Sequence, residues 1–379
     1  FSDCAANANT RPYRKISVDL LSHAKTFSEK APLFRTIDAS PFVPNDESGQ
    51  SERWNDILAV QAEGLAKRMR HTGVKNAVIG LSGGLDSTLA LLVTVRAFGL
   101  CGLNASGIHA ITMPCFGTSD RTYRNACALA KETGVTLSEI NIAEAVRVHF
   151  RDIGQNESIR DAAYENAQAR ERTQILMDKA NQLGALLVGT GDLSESALGW
   201  ETYNGDHMSM YNVNAGIPKT MLRHCIDYVA AYPSVFLPDA DKHTEFRAIV
   251  QDILDTPISP ELLPAQKQVI TQKTEDILGP YELHDFFLYY LLHTDFSPAK
   301  ILLLAEHCFS TEQRYNRQQI LGCMRIFYRR LFSQQFKRSC APDGVQVGFG
   351  SFSPRGAWQM PSDMNAAVWL AELEKLSEV

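Results

Sequence analysis

The stretch Ala77-Val78-Ile79-Gly80-Leu81-Ser82-Gly83-Gly84-Leu85-Asp86-Ser87-Thr88-Leu89-Ala90-Leu91-Leu92-Val93 decides how the chain is read. Ala77 to Leu81 is a continuous apolar run, as expected of a strand covered on both faces in a parallel sheet. Ser82-Gly83-Gly84 then supplies two residues that accept positive φ and let backbone N–H groups approach a ligand with no Cβ in the way. Asp86 and Ser87 open a helix, with Leu85, Leu89, Leu92 and Val93 on one face. Strand, glycine turn and helix start make an anion cradle, because unpaired N–H groups and the positive end of the helix dipole converge there.

The kind of anion can be narrowed. No Gly-Lys-[Ser/Thr] ending is present, which excludes the mononucleotide P-loop, and no Gly-x-Gly-x-x-Gly, which excludes the dinucleotide fingerprint. Ser-Gly-Gly-Leu-Asp-Ser at 82–87 resembles instead the pyrophosphate loop of the ATP pyrophosphatase family, whose members cleave ATP to AMP and pyrophosphate. The plainer alternative is an ordinary βα turn with a glycine pair.

The 379 residues can hold one large or two ordinary domains and bury a core. With 45% hydrophobic and 21% charged residues the composition is that of a soluble globular protein. A net charge of −6 argues against nucleic-acid or membrane partners, so positive charge for an anionic substrate has to be local. No apolar run approaches the ~18 residues of a membrane span, and no signal peptide is visible. The 8 cysteines are scattered without a Cys-x-x-Cys pair, which argues against zinc or a disulfide framework and suits a reducing, cytoplasmic setting. The chain opens on Phe1, and residues 1–50 read as a linker or the tail of a missing N-terminal domain, the start being a cut within a longer polypeptide. Val18-Asp19-Leu20-Leu21 is a possible short element there.

From 51 to 230 the pattern is that of an α/β core. A helix is expected over 51–70 with Ser51 as N-cap, then β and α alternate. Strands are expected over 108–113, 135–140 and 185–189, and helices over 87–98, 121–133, 143–150 and 159–182. Such alternation implies a doubly wound parallel sheet with helices on both faces and the ligand outside the carboxyl ends of the strands. The loops after residues 81, 113, 140 and 189 are therefore expected on one rim. From 231 to 379 the chain reads as a mainly helical C-terminal extension, with helices over 244–254, 283–293, 298–308, 311–335 and 362–376, following one over 221–231. Thr256-Pro257-Ile258-Ser259-Pro260 and Ala341-Pro342-Asp343-Gly344 read as turns.

A second constellation follows the strand at 185–189: Gly189-Thr190-Gly191-Asp192-Leu193-Ser194-Glu195, then Gly199-Trp200-Glu201-Thr202-Tyr203-Asn204-Gly205-Asp206. Hydroxyls, acids and two large aromatics thus face the glycine turn. Carboxylates do not bind phosphate directly, so Mg²⁺ between them and ATP is the economical reading, and oxygen-only ligands suit Mg²⁺ better than zinc. Trp200 and Tyr203 are placed to stack on a flat ring. The alternative is a capping box from Ser194 onward with two core aromatics.

Taken with Tyr211-Asn212-Val213-Asn214-Ala215-Gly216-Ile217-Pro218-Lys219-Thr220 and Gln335-Phe336-Lys337-Arg338-Ser339, these motifs resemble the NAD synthetase family, and in particular the synthetase part of its glutamine-dependent members. The resemblance implies an adenine nucleotide alpha-hydrolase-like fold. It also implies that Gly80, Leu81, Ser82, Gly83, Gly84, Leu85, Asp86 and Ser87 wrap the ATP phosphates, with Thr190 and Lys219 touching ATP. Asp86 and Glu195 would hold Mg²⁺, and with Lys219 would form the catalytic set. Asn166, Glu195, Trp200, Glu201, Thr202, Tyr203 and Lys337 would meet deamido-NAD. Lys337-Arg338 otherwise reads as a solvated helix end, and His207 and His224 read as structural.

The implied reaction has two steps: the nicotinate carboxylate of deamido-NAD attacks the α-phosphate of ATP, and ammonia then displaces AMP from the acyl-adenylate to give NAD. The resemblance further implies a homodimer or higher homo-oligomer. It also implies a glutaminase domain upstream in a full-length protein, for which this chain has no matching Glu, Lys and Cys; Cys4 is a lone cysteine. Two other classes fit less of the pattern. Another amidoligase of the same superfamily would keep 82–87 without the 199–206 and 337 motifs, and a non-catalytic adenine-nucleotide-binding module would not need acids on both rims.

Overall fold

A computed structural model describes residues 16–17, 35–43, 50–117, 120–237, 239–256, 274–294, 296–311, 314–348 and 350–377. Most of the expected linker, including 18–21 and Cys4, and the turn at 257–260 lie outside them. The chain divides into Phe1–Ile37 and Asp38–Val379, and the description below concerns the second unit.

Helix α1 (Gln50–Thr72) leads into strand β1 (Asn76–Gly80), and helix α2 (Leu85–Leu100) follows the glycine turn. Then come β2 (Ile108–Thr112), α3 (Asp120–Thr133), β3 (Thr136–Glu139), α4 (Ala143–Ile153), α5 (Ala162–Leu183) and β4 (Ala185–Gly189). A six-residue helix α6 (Leu193–Leu198) and a two-residue strand β5 (Tyr211–Asn212) precede α7 (Lys219–Ala231). The remainder is helical: α8 (His243–Leu254), α9 (Thr274–Leu278), α10 (Tyr281–His293), α11 (Pro298–Thr311), α12 (Arg317–Ser333), α13 (Gln335–Arg338) and α14 (Ala367–Ser377). No helix among the described residues is long and apolar enough to cross a membrane.

The sheet has the order β3-β2-β1-β4-β5, and every pairing is parallel. The chain leaves β1 toward β2 and β3, then returns to the other side of β1 for β4 and β5. The order therefore reverses at β1, so the crevice outside its carboxyl end is the place such a sheet offers a ligand. Asn212 also bridges in parallel to Gly344, so the late loop comes back to the sheet edge at β5.

Alternation along β1 divides the core. Ala77 and Ile79 pack with Leu58 and Leu65 of α1, Leu89 and Leu92 of α2, and Leu222 and Ile226 of α7. Val78 points the other way, into a cluster with Ile111, Leu187, Val146, Phe150 and Tyr164. Helix α2 is buried nearly all round, which its sequence allows because few polar residues interrupt it. Each fully buried leucine there contributes roughly 1.5–3 kcal/mol. The first cluster also takes in Phe246, Val250 and Ile253 of α8, so the α/β core draws on residues beyond 230.

Local signals account for where the structure departs from the sequence reading. Ser51 lies inside α1 rather than capping it, since that helix already starts at Gln50. Helix α5 begins at Ala162, not Ile159, because Asp161 Oδ1 accepts from the N–H groups of Ala163 (3.0 Å) and Tyr164 (3.1 Å). The expected helix over 311–335 is split: Asn316 and Gln319 form a capping box that starts α12 at Arg317. Helix α14 starts at Ala367 rather than 362. Strand β5 has too few residues to show a period.

The glycine turn depends on Gly83. Its φ is +84°, and a Cβ there would lie 2.1 Å from the carbonyl oxygen of Thr122 in α3. Gly83→Ala should therefore destabilise the protein by roughly 2–4 kcal/mol, strain and overlap together. Gly73→Ala, with φ +73° and nothing within 4 Å, should cost only about 1 kcal/mol. Urea denaturation of the two variants side by side checks the difference.

Candidate active site

The site begins at the amino end of α2. Gly84 is its N-cap, with no side-chain hydrogen bond to the first turn, so those N–H groups point out beyond the carboxyl end of β1. Ser82 Oγ accepts from Gly84 N–H at 3.2 Å and lies 3.1 Å from Ser87 Oγ, which closes the turn on itself.

Lys219 reaches the same rim from the first residue of α7. Its side chain is 3% exposed, and its Nζ lies 2.7 Å from Asp86 Oδ1, 2.8 Å from Asp192 Oδ2 and 2.9 Å from Glu195 Oε1. Three carboxylates thus surround one ammonium. Burial raises the pKa of Asp192 well above its usual range and that of Glu195 to about 7, with Lys219 opposing both shifts. Burial also works against a charged Lys219, but Asp192, Asp86 and Glu195 outweigh it and hold its pKa well above the ordinary lysine value. Hard oxygen ligands from Asp86, Asp192 and Glu195 lie within 4.8 Å of one another, a donor set suited to Mg²⁺.

Helix α6 presents two of these acids through its own capping. Asp192 is the N-cap and Glu195 the N3 partner of a reciprocal capping box. The box therefore starts at Asp192 and not at Ser194. Asn214 joins the two rims, its Nδ2 donating to the carbonyls of Asp86 and Thr190, both at 3.0 Å. Gln61 of α1 holds Asn214 in turn, through Oδ1 at 3.2 Å.

The amino end of α7 follows Pro218 and has no side-chain cap of its own. Buried Asp285 of α10 takes that role: it accepts from Thr220 N–H (2.9 Å), Thr220 Oγ1 (2.7 Å) and the Ser194 hydroxyl. Ser194 Oγ accepts from Lys219 N–H at 2.8 Å, so α6, α7 and α10 are tied at one point. Asp192, Ser194, Asn214 and Asp285 thus join the site without having been singled out as its residues. The Asp-x-x-Glu spacing was a signal for Asp192; Asp285 sits in an unmarked helical pattern.

The remaining expected residues gather beside this cluster. Thr202 donates to Asn166 Oδ1 at 2.8 Å. Lys337 is not a solvated helix end: it is half-buried, and its Nζ donates to the carbonyls of Gly199 (2.7 Å) and Glu201 (2.5 Å). Arg338 is 0% exposed and donates to the carbonyls of Ser196 (3.0 Å) and Ala197 (2.9 Å). Arg330 does the same for Leu198 and Gly199, and its guanidinium lies 5.1 Å from the Trp200 ring centroid. Tyr203 is exposed but stacks on His207 at 5.5 Å, so each aromatic already has a protein partner. His207 Nε2 donates to the Lys337 carbonyl at 2.7 Å, and the His224 ring stacks on Trp54 at 5.7 Å. Burial, then Asp206 and Glu195, push Glu201 up to about 8.

A family model described as NAD synthase matches residues 57–315. Among curated relatives, the glutamine-dependent NAD(+) synthetase of Mycobacterium leprae is 41% identical over 364 residues, covering 90% of this chain and 52% of the relative. That of Aquifex aeolicus is 28% identical over 308 residues, covering 81% and 47%. The chain spans about half the length of the curated relatives it matches. Among solved structures, a glutamine-dependent NAD(+) synthetase from Cytophaga hutchinsonii superposes with a TM-score of 0.67 at 20% identity, over 85% of this chain and 56% of that one. At that identity the likeness speaks for the fold alone.

Two outcomes follow from the geometry. Asp285→Ala should cost about 3 kcal/mol in urea denaturation, since it strands the Thr220 donors and the Ser194 hydroxyl. Glu201 ionises near 4.5 in the unfolded chain but only near 8 in the folded one, so stability falls as pH rises between those values. Glu201→Gln has no such titration and should flatten that decline, gaining most over the parent at about pH 8 and least at about pH 5.

Proposed function

The chain belongs to the NAD synthase family, and on that premise we propose that it amidates deamido-NAD to NAD at the expense of ATP, with release of AMP and pyrophosphate. The observation that carries this reading is the joint placement on one rim of an uncapped helix start after Ser82-Gly83-Gly84 and of Lys219 among three carboxylates.

In this reading the backbone from Gly80 to Ser87, with Thr190, receives the ATP phosphates. The first-turn N–H groups of α2 stabilise charge developing on the leaving pyrophosphate, electrostatically and without reorganising. Lys219 serves the same charge once its carboxylate partners are shared with another cation. Asp86 and Glu195, with Asp192 beside them, would hold Mg²⁺, which supplies charge neutralisation on the phosphate oxygens when bound. Asn166 with Thr202, Trp200 to Tyr203, and Lys337 bind deamido-NAD, as the family resemblance implies. The acyl-adenylate needs no protein nucleophile for its amidation, because it is already activated and positioning supplies much of the rate. In a protein as long as the glutamine-dependent relatives, the remainder of the chain would release ammonia from glutamine. Assembly as a homo-oligomer and a cytoplasmic setting belong to the same proposal.

The reading is tested by pyrophosphate release from ATP with deamido-NAD, compared with xanthosine monophosphate and aspartate. Only deamido-NAD should support it, and ammonium chloride should then yield NAD, faster in alkaline buffer where more free ammonia exists. Glu195→Gln should lower deamido-NAD-dependent ATP–pyrophosphate exchange by roughly 10²-fold while the melting temperature is retained. Undiminished exchange would remove Glu195 from the catalytic set.

A further inference from the structure

Helix α1 buries an apolar face built from Trp54, Leu58, Ala62, Leu65 and Met69, and Gln61 interrupts it. Gln61 is 0% exposed, and its Oε1 has no hydrogen-bond partner. A buried amide with an unanswered acceptor is costly, so packing alone does not account for glutamine at this place. Its Nε2, by contrast, spends both hydrogens: one goes to the Val213 carbonyl at 2.9 Å, the other to Asn214 Oδ1 at 3.2 Å.

Asn214, also 0% exposed, hands this contact on. Its Nδ2 donates to the carbonyls of Asp86 and Thr190, both at 3.0 Å. Backbone carbonyls only accept, so Nδ2 has to face them, Oδ1 has to face α1, and Gln61 has to present Nε2. Donation therefore runs one way, from α1 out to both rims. The main chain of Asn214 takes part as well. Its carbonyl accepts from Ile217 N–H at 2.9 Å, and the Ile217 carbonyl accepts from Leu193 N–H at 2.9 Å. That turn runs on through Pro218 to Lys219. The starts of α2, α6 and α7 thus all lean on the turn that Asn214 opens, and they carry the four charged groups of the site. Neither amide is charged, and neither is open to a ligand.

We propose that Asn214, held by Gln61, is a positioning residue for ATP: it fixes the separation between the glycine turn and the acid loop at the value the phosphates require. The proposal rests on the ligase reading above and deepens its ATP site. It assigns the buried glutamine of α1 a purpose that the unanswered Oε1 denies to stability alone.

The test is calorimetric titration with ATP and magnesium chloride, without deamido-NAD, on the parent, Gln61→Met, Asn214→Ala and the double variant. Gln61→Met keeps the length of the side chain and removes an unanswered acceptor along with the two donors, so its melting temperature should stay close to the parent's. Its Kd for ATP should nevertheless rise roughly fivefold, and that of Asn214→Ala roughly tenfold. Because Gln61 reaches the rims through Asn214, the double variant should bind ATP within about twofold of Asn214→Ala. In steady state the KM for deamido-NAD should stay within about twofold of the parent in Gln61→Met. Unchanged ATP affinity in both single variants would overturn the proposal, as would effects that multiply in the double variant or an equal rise of both KM values. If Asn214→Ala does not fold, Gln61→Met decides alone. A parent that binds ATP but shows no deamido-NAD-dependent exchange would bring down the ligase reading and leave the ATP titrations to decide the role of Asn214. A parent that does not bind ATP would remove both.

Discussion

Lys219 Nζ among the carboxylates of Asp86, Asp192 and Glu195 is the interaction on which the site depends. Those acids come from two separate helix starts, α2 and α6, and the lysine from a third, α7. None of the three could be buried alone without neutralising, because an unpaired charge in the interior costs several kcal/mol. Together they leave an excess of negative charge, which burial partly relieves by raising Asp192 and Glu195 toward protonation. The cluster is thus strong enough to hold three helix starts at one point and still unsaturated with respect to a further cation.

The C-terminal helices complete this arrangement and do more than enclose it. Asp285 on α10 supplies the cap that Pro218 cannot, and through Ser194 it fixes α6 and α7 together. At the other end of α6, Arg330, Lys337 and Arg338 take up the carbonyls from Ser196 to Gly199. Gly199 turns the chain there with φ +55°, and a Cβ would lie 2.3 Å from Gln334. The geometry of this rim on the α/β core is therefore set by side chains more than sixty residues away in sequence.

Much of this was legible in the chain, and the reason is physical. The apolar run, the glycine pair and the helical face at 77–93 each follow from backbone rules that act locally, so strand, turn and helix could be placed and the parallel sheet followed. Glu195 and Lys219 could be named because they sit in motifs that resemble a family. Asp285 could not, because a buried acid in a helix of apolar and aromatic residues has no local signature; only the fold shows that it faces an uncapped helix start. The partners of Lys337 were hidden for the same reason, since a cation at a helix end looks solvated until the carbonyls of the turn after α6 are brought to it. Strand β5 escaped notice because two residues cannot show a period.

The charges along α6 show why so short a helix can carry the site. Six residues form too few internal hydrogen bonds to be stable alone, so its position has to be imposed from both ends. At the amino end stand Asp192 and Glu195, at the carboxyl end Arg330, Lys337 and Arg338, the order that the helix dipole favours. The cations meet neutral carbonyls rather than carboxylates, and burial pulls Arg338 down to about 10. Their charge is answered a little farther off by Glu201, which raises both Arg338 and Lys337. A carboxylate in that position is held between the cations on one side and the acids Asp206 and Glu195 on the other. Burial and then those acids push its own pKa up to about 8, and it lines a cavity whose wall also holds Asp192 of the Lys219 cluster. The same scaffold that fixes α6 therefore leaves one buried acidic group near the Lys219 cluster with an oxygen still unpaired.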